Sequence, residues 1–249
     1  MISIRELIFG FESLPLRGQA VIAHGSFKSL GRVQGGPKVV IDALLKSCES
    51  LIMPTFTYQS MVTPLVGPPN NALDYKAEEK NRKKKEAEKD YIGPIPFQRN
   101  LPADEEMGIL AETLRRHPSA KRSLHPILSF AGVNADFALD RQTIYDPFAP
   151  IGALAGKNGW VVLIGVDHTV NTSIHYAEKL AGRRQFIRWA LTPNRIIECP
   201  GFPGDSAGFQ AIADYLENEV DSVTIGDSRV EALRLNRLIN KVKLLIKQD

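Results

Sequence analysis

The chain has 249 residues, 43% of them hydrophobic and 24% charged, which is enough to bury a substantial core and ordinary for a soluble globular protein. A formal net charge of +3 gives no global bias toward nucleic acid or membrane surfaces. Cys48 and Cys199 lie far apart without CxxC or zinc-type spacing, which excludes a disulfide framework or a zinc module by pattern and suits a cytoplasmic protein with reduced thiols.

Taken in chain order, the N-terminal stretch MISIRELIFGFESL carries Arg5, Glu6 and Glu12 among apolar residues, so it reads neither as a signal peptide nor as a membrane span. Residues 3–13 have the spacing of an amphipathic helix, with Ile4, Leu7, Ile8 and Phe11 on one stripe and Pro15 and Gly18 to end it. Residues 19–24 form a short apolar strand pattern that ends in the polar turn Gly25-Ser26. Gly31, Gly35 and Gly36 punctuate the following loop, and Pro37 opens a helix, where its missing N–H costs nothing. Residues 50–56 are the next strand and close a βαβ unit with 19–24. A glycine-rich loop before a helix N-terminus suits phosphate, because free N–H groups and the helix dipole face the anion. Neither a Walker A loop nor GxGxxG is present, however, and a plain tight turn is the simpler reading of Gly35-Gly36-Pro37.

Residues 59–102 combine a Pro/Gly/Asn loop with a charge run in which seven Lys or Arg face five Asp or Glu between Lys76 and Asp90. A solvated helix or mobile lid is the simpler expectation, with a polyanion-binding patch as the alternative. Residues 103–118 read as a helix with acids at its start and Arg115, Arg116 and His117 at its end, as the helix dipole favours. Arg122-Ser123-Leu124-His125-Pro126 leads into a strand at 127–133, and the proline holds His125 extended. A short helix at 135–140, a rigid turn at 146–150 and another helix from 151 follow.

Residues 158–182 organise the rest. A buried-strand run from Trp160 to Gly165 is followed by a polar turn, Asp167 to Asn171, and then by an amphipathic helix from Thr172 or Ser173. That layout delivers side chains to the carboxyl edge of an α/β sheet, where ligands bind. His175 and Glu178, three apart, share one helix face, and Asp167 and His168 enter the same corner. An imidazole beside carboxylates can move a proton near neutral pH, although a solvated surface pair has the same spacing. Residues 185–191 and 195–199 read as a hairpin around Thr192-Pro193-Asn194; 206–220 reads as a helix, 221–227 as a short strand and 228–247 as a long basic helix. The expected fold class is α/β, a mixed central sheet flanked by helices with added antiparallel strands, in one domain over 1–249 with a charged insertion or lid at about 59–102. His24 at a strand end, Trp160 and Trp189 read as buried structural residues.

Several separate stretches fit one family together. HGSFKSLGRVQGGPKVVIDAL, MPTFT, RSLHPILSFA, DPFAPIGAL, GVDHTVNTSIHYAE and GDSRVEALRLNRLI run in family order, and with them the chain resembles the aminoglycoside 3-N-acetyltransferases, whose antibiotic N-acetyltransferase fold is distinct from the GNAT superfamily. The resemblance implies acetyl transfer from acetyl-CoA to an amine, without a metal, in a setting of antibiotic resistance. It places Ser26, Phe27, Lys28, Ser29, Val33, Gly35, Gly36 and Pro37 along the coenzyme's pantetheine and pyrophosphate, with Arg122, Ser123, His125 and Ser129 as secondary candidates. It makes His175 the general base, oriented by Glu178 and Asp167, and sets Thr57 near the reacting carbonyl. The implied partners are a small-molecule amine acceptor and acetyl-CoA, with no nucleic acid or membrane and with a homodimer allowed. Acetyl transfer to a non-aminoglycoside amine and non-catalytic coenzyme binding remain the alternatives.

Overall fold

The structure is a computed structural model and describes residues 1–88 and 92–246. Three short strands with almost no polar residues, β1 (Ala20–Gly25), β2 (Ser50–Pro54) and β6 (Trp160–Ile164), lie parallel at the centre, with β1 between the other two. Near-continuous apolar sequence is what a strand covered on both faces requires. Antiparallel strands extend the sheet on each side. β5 (Phe130–Val133) and β4 (Lys121–Arg122) continue from β2, and β10 (Ser228–Arg234) and β9 (Asp221–Ile225) continue from β6, giving the order β4-β5-β2-β1-β6-β10-β9. A second, three-stranded sheet is formed by β3 (Met61–Val62), β7 (Phe186–Leu191) and β8 (Ile196–Phe202) in the order β3-β7-β8.

Strand alternation divides the core into two. Ala20, Ile22, Ile52, Val161 and Leu163 face α6 (Ala149–Gly156), α7 (Thr172–Leu180) and α8 (Leu235–Ile246). Val21, Ala23, Leu51, Met53, Val162 and Ile164 face α1 (Ile4–Glu12), α2 (Gly36–Ser47) and α4 (Gly108–Arg115). The short α5 (Asp136–Leu139) packs beside α6. No described helix is long and apolar enough to cross a membrane.

Some local expectations change. Residues 228–246 are a strand followed by a helix. The pair Gly226-Asp227, with Gly226 at φ +60°, turns β9 into β10, and Val230, Ala232 and Leu233 are buried in register against β6. Residues 206–220 form 3₁₀ turns, Phe209–Tyr215 and Glu217–Glu219, which bury Phe209, Ile212 and Leu216. The helix expected from 103 starts at Gly108, preceded by a 3₁₀ turn, Glu105–Met107, that the Asp104 side chain caps. The strand expected from 127 starts at Phe130, because the amides of Ile127 and Leu128 donate to His125 Nδ1 rather than to a ladder.

The charge run forms α3 (Tyr75–Glu86), capped by Asp74, with no buried residue and with exposed i,i+4 pairs Lys83–Glu79 at 2.5 Å and Arg82–Glu86 at 3.1 Å. Such pairs add little stability, so the helix depends on its docking. Tyr75 packs edge-on against Trp189, and Asn71 accepts from the Ile187 amide at 2.8 Å and donates to its carbonyl at 2.9 Å. The rest of the run, Lys89 to Tyr91, and residue 247 of the expected C-terminal helix lie outside the described residues.

Two buried histidines link this packing to pH. Burial, reinforced by nearby His168, lowers His24 to about 3, and burial lowers His125 to about 4. In the unfolded chain both titrate near 6.5. The unfolded state therefore binds more protons between the folded and unfolded values, and stability falls as pH drops through that window, by about 1.4 kcal/mol per histidine per pH unit. Denaturant melts at pH 7.5 and 5 are expected to show a marked loss that is roughly halved in a His24→Asn/His125→Asn variant. An unchanged loss would show that other groups take up the protons.

Candidate active site

Where β6 ends, Gly165 adopts φ +58°, turning the chain at a point where any side chain would meet Ser29 and Ser228. Asp167 then caps a 3₁₀ turn, His168–Val170, and the Asn171 side chain caps α7 by accepting from the Ser173 amide at 3.1 Å. Two consecutive caps in this short connection fix where α7 begins. Ile174 and Ala177 hold the helix on the core, and Lys179 pairs with Asp146 at 2.7 Å.

One turn into α7, His175 Nδ1 lies 3.0 Å from Glu178 Oε2, with both side chains largely shielded from water. Arg183 Nε stands 4.0 Å from the other carboxylate oxygen. With Glu178 ionised, Nδ1 is the donor and Nε2 is left as the basic nitrogen. The ring plane is bounded by Phe148, stacked at 5.9 Å and 25°, and by Phe209, at 4.7 Å and 61°.

His175 opens on a cavity of about 800 Å³ at the carboxyl ends of β1, β2 and β6. This is the edge where parallel α/β sheets bind ligands, and the volume suits a small-molecule site. Its walls come from Ala23 to Lys28, Met53 to Tyr58 in part, Glu105 to Ile109, Val166 to Thr172 in part and Phe202 to Ser206. The charges are divided. Lys28 supplies a cation, while Glu105, Glu106 and Asp205 supply carboxylates. Burial, with Glu106 and Asp104 nearby, pushes the Tyr58 phenol up, so it remains a neutral hydroxyl in the wall. His24 lines the floor in its neutral form, its Nε2 buried without a partner.

The residues singled out in the sequence fall into three groups. Ser26, Phe27, Lys28 and His175 line the cavity, and Glu178 reaches it through His175. Asp167 is close in sequence but directed elsewhere, because its carboxylate accepts from the Thr169 amide at 2.9 Å and from the Thr169 hydroxyl. Those bonds hold its acid below the usual carboxylate value, the hydroxyl contributing most.

The third group does not line the cavity. The Thr57 hydroxyl is buried and donates to the Pro126 carbonyl at 2.7 Å. Arg122 donates to Ser129 Oγ at 3.0 Å, to the Thr55 carbonyl at 2.6 Å and to the Leu101 carbonyl, bracing the Met53–Tyr58 stretch. Ser123 bonds the Phe130 backbone, and His125 holds the Ile127 and Leu128 amides. Ser29 donates to the Ser26 carbonyl at 2.7 Å, and Val33 bridges Ile2. Gly35, at φ +85°, leads into Gly36 and Pro37 at the start of α2. Tyr58 and Phe202 in the wall, and Phe148 and Phe209 against the imidazole, carry no sequence signal, because no local spacing tells such an aromatic from one that fills the core. Among the described residues, no three His, Cys, Asp or Glu side chains group as for a metal ion.

The family model described as aminoglycoside 3-N-acetyltransferase matches residues 22–247. Aminoglycoside N(3)-acetyltransferase VII of Streptomyces paromomycinus is 32% identical over 171 residues, covering 66% of this chain and 55% of that relative. The match thus spans little more than half of the relative's own length. The crystal structure of the YokD protein from Bacillus subtilis superposes with a TM-score of 0.80 at 20% identity, covering 100% of both chains. The structure of AAC-IIIb, binary with CoASH, superposes with a TM-score of 0.76 at 17% identity, covering 99% of this chain and 96% of the other. At those identities the structures speak for the fold, and the family model carries the assignment: the chain belongs to the aminoglycoside 3-N-acetyltransferase family.

Proposed function

We propose that this protein is an acyltransferase that moves an acetyl group from acetyl-CoA to an amine of an aminoglycoside, with His175 as general base. The observation that carries the reading is the 3.0 Å His175–Glu178 pair opening on the cavity. An ammonium group cannot attack an acyl carbon until it loses a proton, and an imidazole is matched to that task near neutral pH. His175 Nε2 takes a proton from the amine nitrogen as it bonds the acyl carbon, the carbon–sulfur bond breaks, and the imidazolium returns the proton so that the coenzyme leaves as a thiol. Glu178, accepting from Nδ1, holds the ring's tautomer and stabilises the imidazolium, as the carboxylate of a catalytic triad does.

Acetyl-CoA, as cosubstrate, supplies an acyl group already activated as a thioester. The chain's residues fit it. Ser26, Phe27 and Lys28 border the cavity where β1 ends, and the Lys28 ammonium suits a phosphate. The AAC-IIIb neighbour is binary with CoASH, which supports acetyl-CoA as the cosubstrate here.

The acceptor reading rests on charge. Glu105, Glu106 and Asp205 border the same cavity, which favours an acceptor carrying several ammonium groups. No residue of α3 lines the cavity, so the lysine-rich helix does not reverse that sign.

His175→Ala is expected to lower kcat by roughly 10²–10⁴-fold while coenzyme binding persists. Thiol release with gentamicin and kanamycin, alongside calorimetry, checks both parts, and near-normal turnover would remove His175 from the role of base. Glu105→Gln/Glu106→Gln is expected to raise KM for these acceptors about 10-fold, most strongly at low salt, with KM for acetyl-CoA unchanged. Equal acceptor KM values would place the polycation elsewhere.

A further inference from the structure

The hydrogen bond between His175 Nδ1 and Glu178 holds one nitrogen but leaves the ring free to hinge about that contact. Two aromatic rings, Phe148 and Phe209, pack against it. Phe148 comes from the turn before α6 and stacks nearly parallel at 25°. Phe209 comes from the far end of the chain and meets the imidazole at 4.7 Å, the closer of the two. The next residue, Gln210, reaches back with its side-chain oxygen to accept the His168 amide at 2.9 Å, in the turn that launches α7. Adjacent residues of one 3₁₀ segment thus touch both the imidazole and the turn that fixes its helix. The segment is itself anchored, since Phe209, Ile212 and Leu216 are buried in the core beneath α7 and α8. Just before it, Phe202 to Ser206 form a wall of the cavity.

We propose that Phe209 and Gln210 are positioning residues for the imidazole of His175. Phe209 fixes the ring plane so that Nε2 faces the acceptor nitrogen, and Gln210 ties the segment bearing Phe209 to the start of α7. This rests on the reading of His175 as the base. Misplacing a proton acceptor by a fraction of its hydrogen-bond length costs rate without touching coenzyme affinity, so the device acts on kcat and not on binding. It also gives the chain after β8, which supplies neither His175 nor Glu178, a defined part in the site.

A double-mutant cycle tests it. Wild type, His175→Ala, Phe209→Leu and the double variant are compared by single-turnover thiol release with gentamicin, with coenzyme affinity by calorimetry and thermal midpoint alongside. Phe209→Leu keeps an apolar side chain of similar bulk but loses the ring. The expected result is a fall in kcat of about 10-fold with coenzyme affinity unchanged, and no further fall when His175 is already alanine. Phe209→Tyr, which keeps the ring, is expected to retain most of the rate. An equal fall in both His175 backgrounds, or a wild-type rate for Phe209→Leu, overturns the proposal. Near-normal turnover of His175→Ala alone would instead overturn the base reading on which it rests.

Gln210 is exposed, so its variants do not endanger the core if Phe209→Leu fails to fold. Gln210→Ala is expected to lower kcat about 3-fold and Gln210→Glu, which keeps an acceptor for the His168 amide, to restore it. Equal rates for these two variants would overturn the role given to Gln210.

Discussion

Everything in the site depends on three parallel strands ending together. β2, β1 and β6 are paired in parallel, so their carboxyl ends share one edge, and each opens into a different wall of the same cavity. β1 runs into Gly25 to Lys28, β2 into Pro54 to Tyr58 and β6 into the caps of α7. Apolar sequence on both faces of these strands drives the arrangement, and the chemistry follows from it. Any residue that broke the β1–β6 register would move His175 relative to Lys28.

Electrostatics in this cavity are arranged by depth. Groups at its floor and behind its walls are kept neutral or fully bonded: His24 and His125 are held well below the usual imidazole range by burial, and His168 is lowered as well, chiefly by burial. Arg122 is the exception among deep groups. Burial lowers it to about 10, which still leaves it charged at neutral pH, and its bonds to the Ser129 hydroxyl and three main-chain carbonyls compensate that charge. The groups with net charge, Lys28, Glu105, Glu106 and Asp205, stand on the walls where water and a ligand reach them. The two cysteines follow the same rule, since burial pushes both thiols up to about 12 and leaves them inert.

How much of this was legible in the sequence depends on the range of the interaction. The β1–α2–β2 unit and the strand–turn–helix of 158–182 were readable because their patterns are local: apolar runs, a proline at the helix start and i,i+3 spacing of His175 and Glu178. Residues 228–234 read as helix because their charged and apolar residues also satisfy a helical period. Only pairing with β6, a long-range choice, makes them a strand. Arg122, Ser123, His125 and Ser129 were visible as a cluster. Yet a pattern of polar residues does not distinguish a wall from the buttress behind it, and here the hydrogen bonds place them in the buttress. Phe148 and Phe209 were unreadable for the same reason in reverse. An aromatic residue that bounds an imidazole and one that fills a core have the same local sequence context.

That asymmetry bears on how the site is stabilised. The His175–Glu178 pair lies within one helical turn, so its contact is local to α7. What makes it directional is supplied from a distance. Asp146 grips Lys179 farther along the helix, Gln210 grips the turn before its start, and Phe148 and Phe209 close on the ring between them. These contacts come from segments on either side of α7 in sequence and converge on it through the face of the sheet that buries α6, α7 and α8. The same packing that removes apolar surface from water therefore sets the orientation of the His175 imidazole in the cavity. A fold that lost this core face would keep its histidine and glutamate and lose their aim.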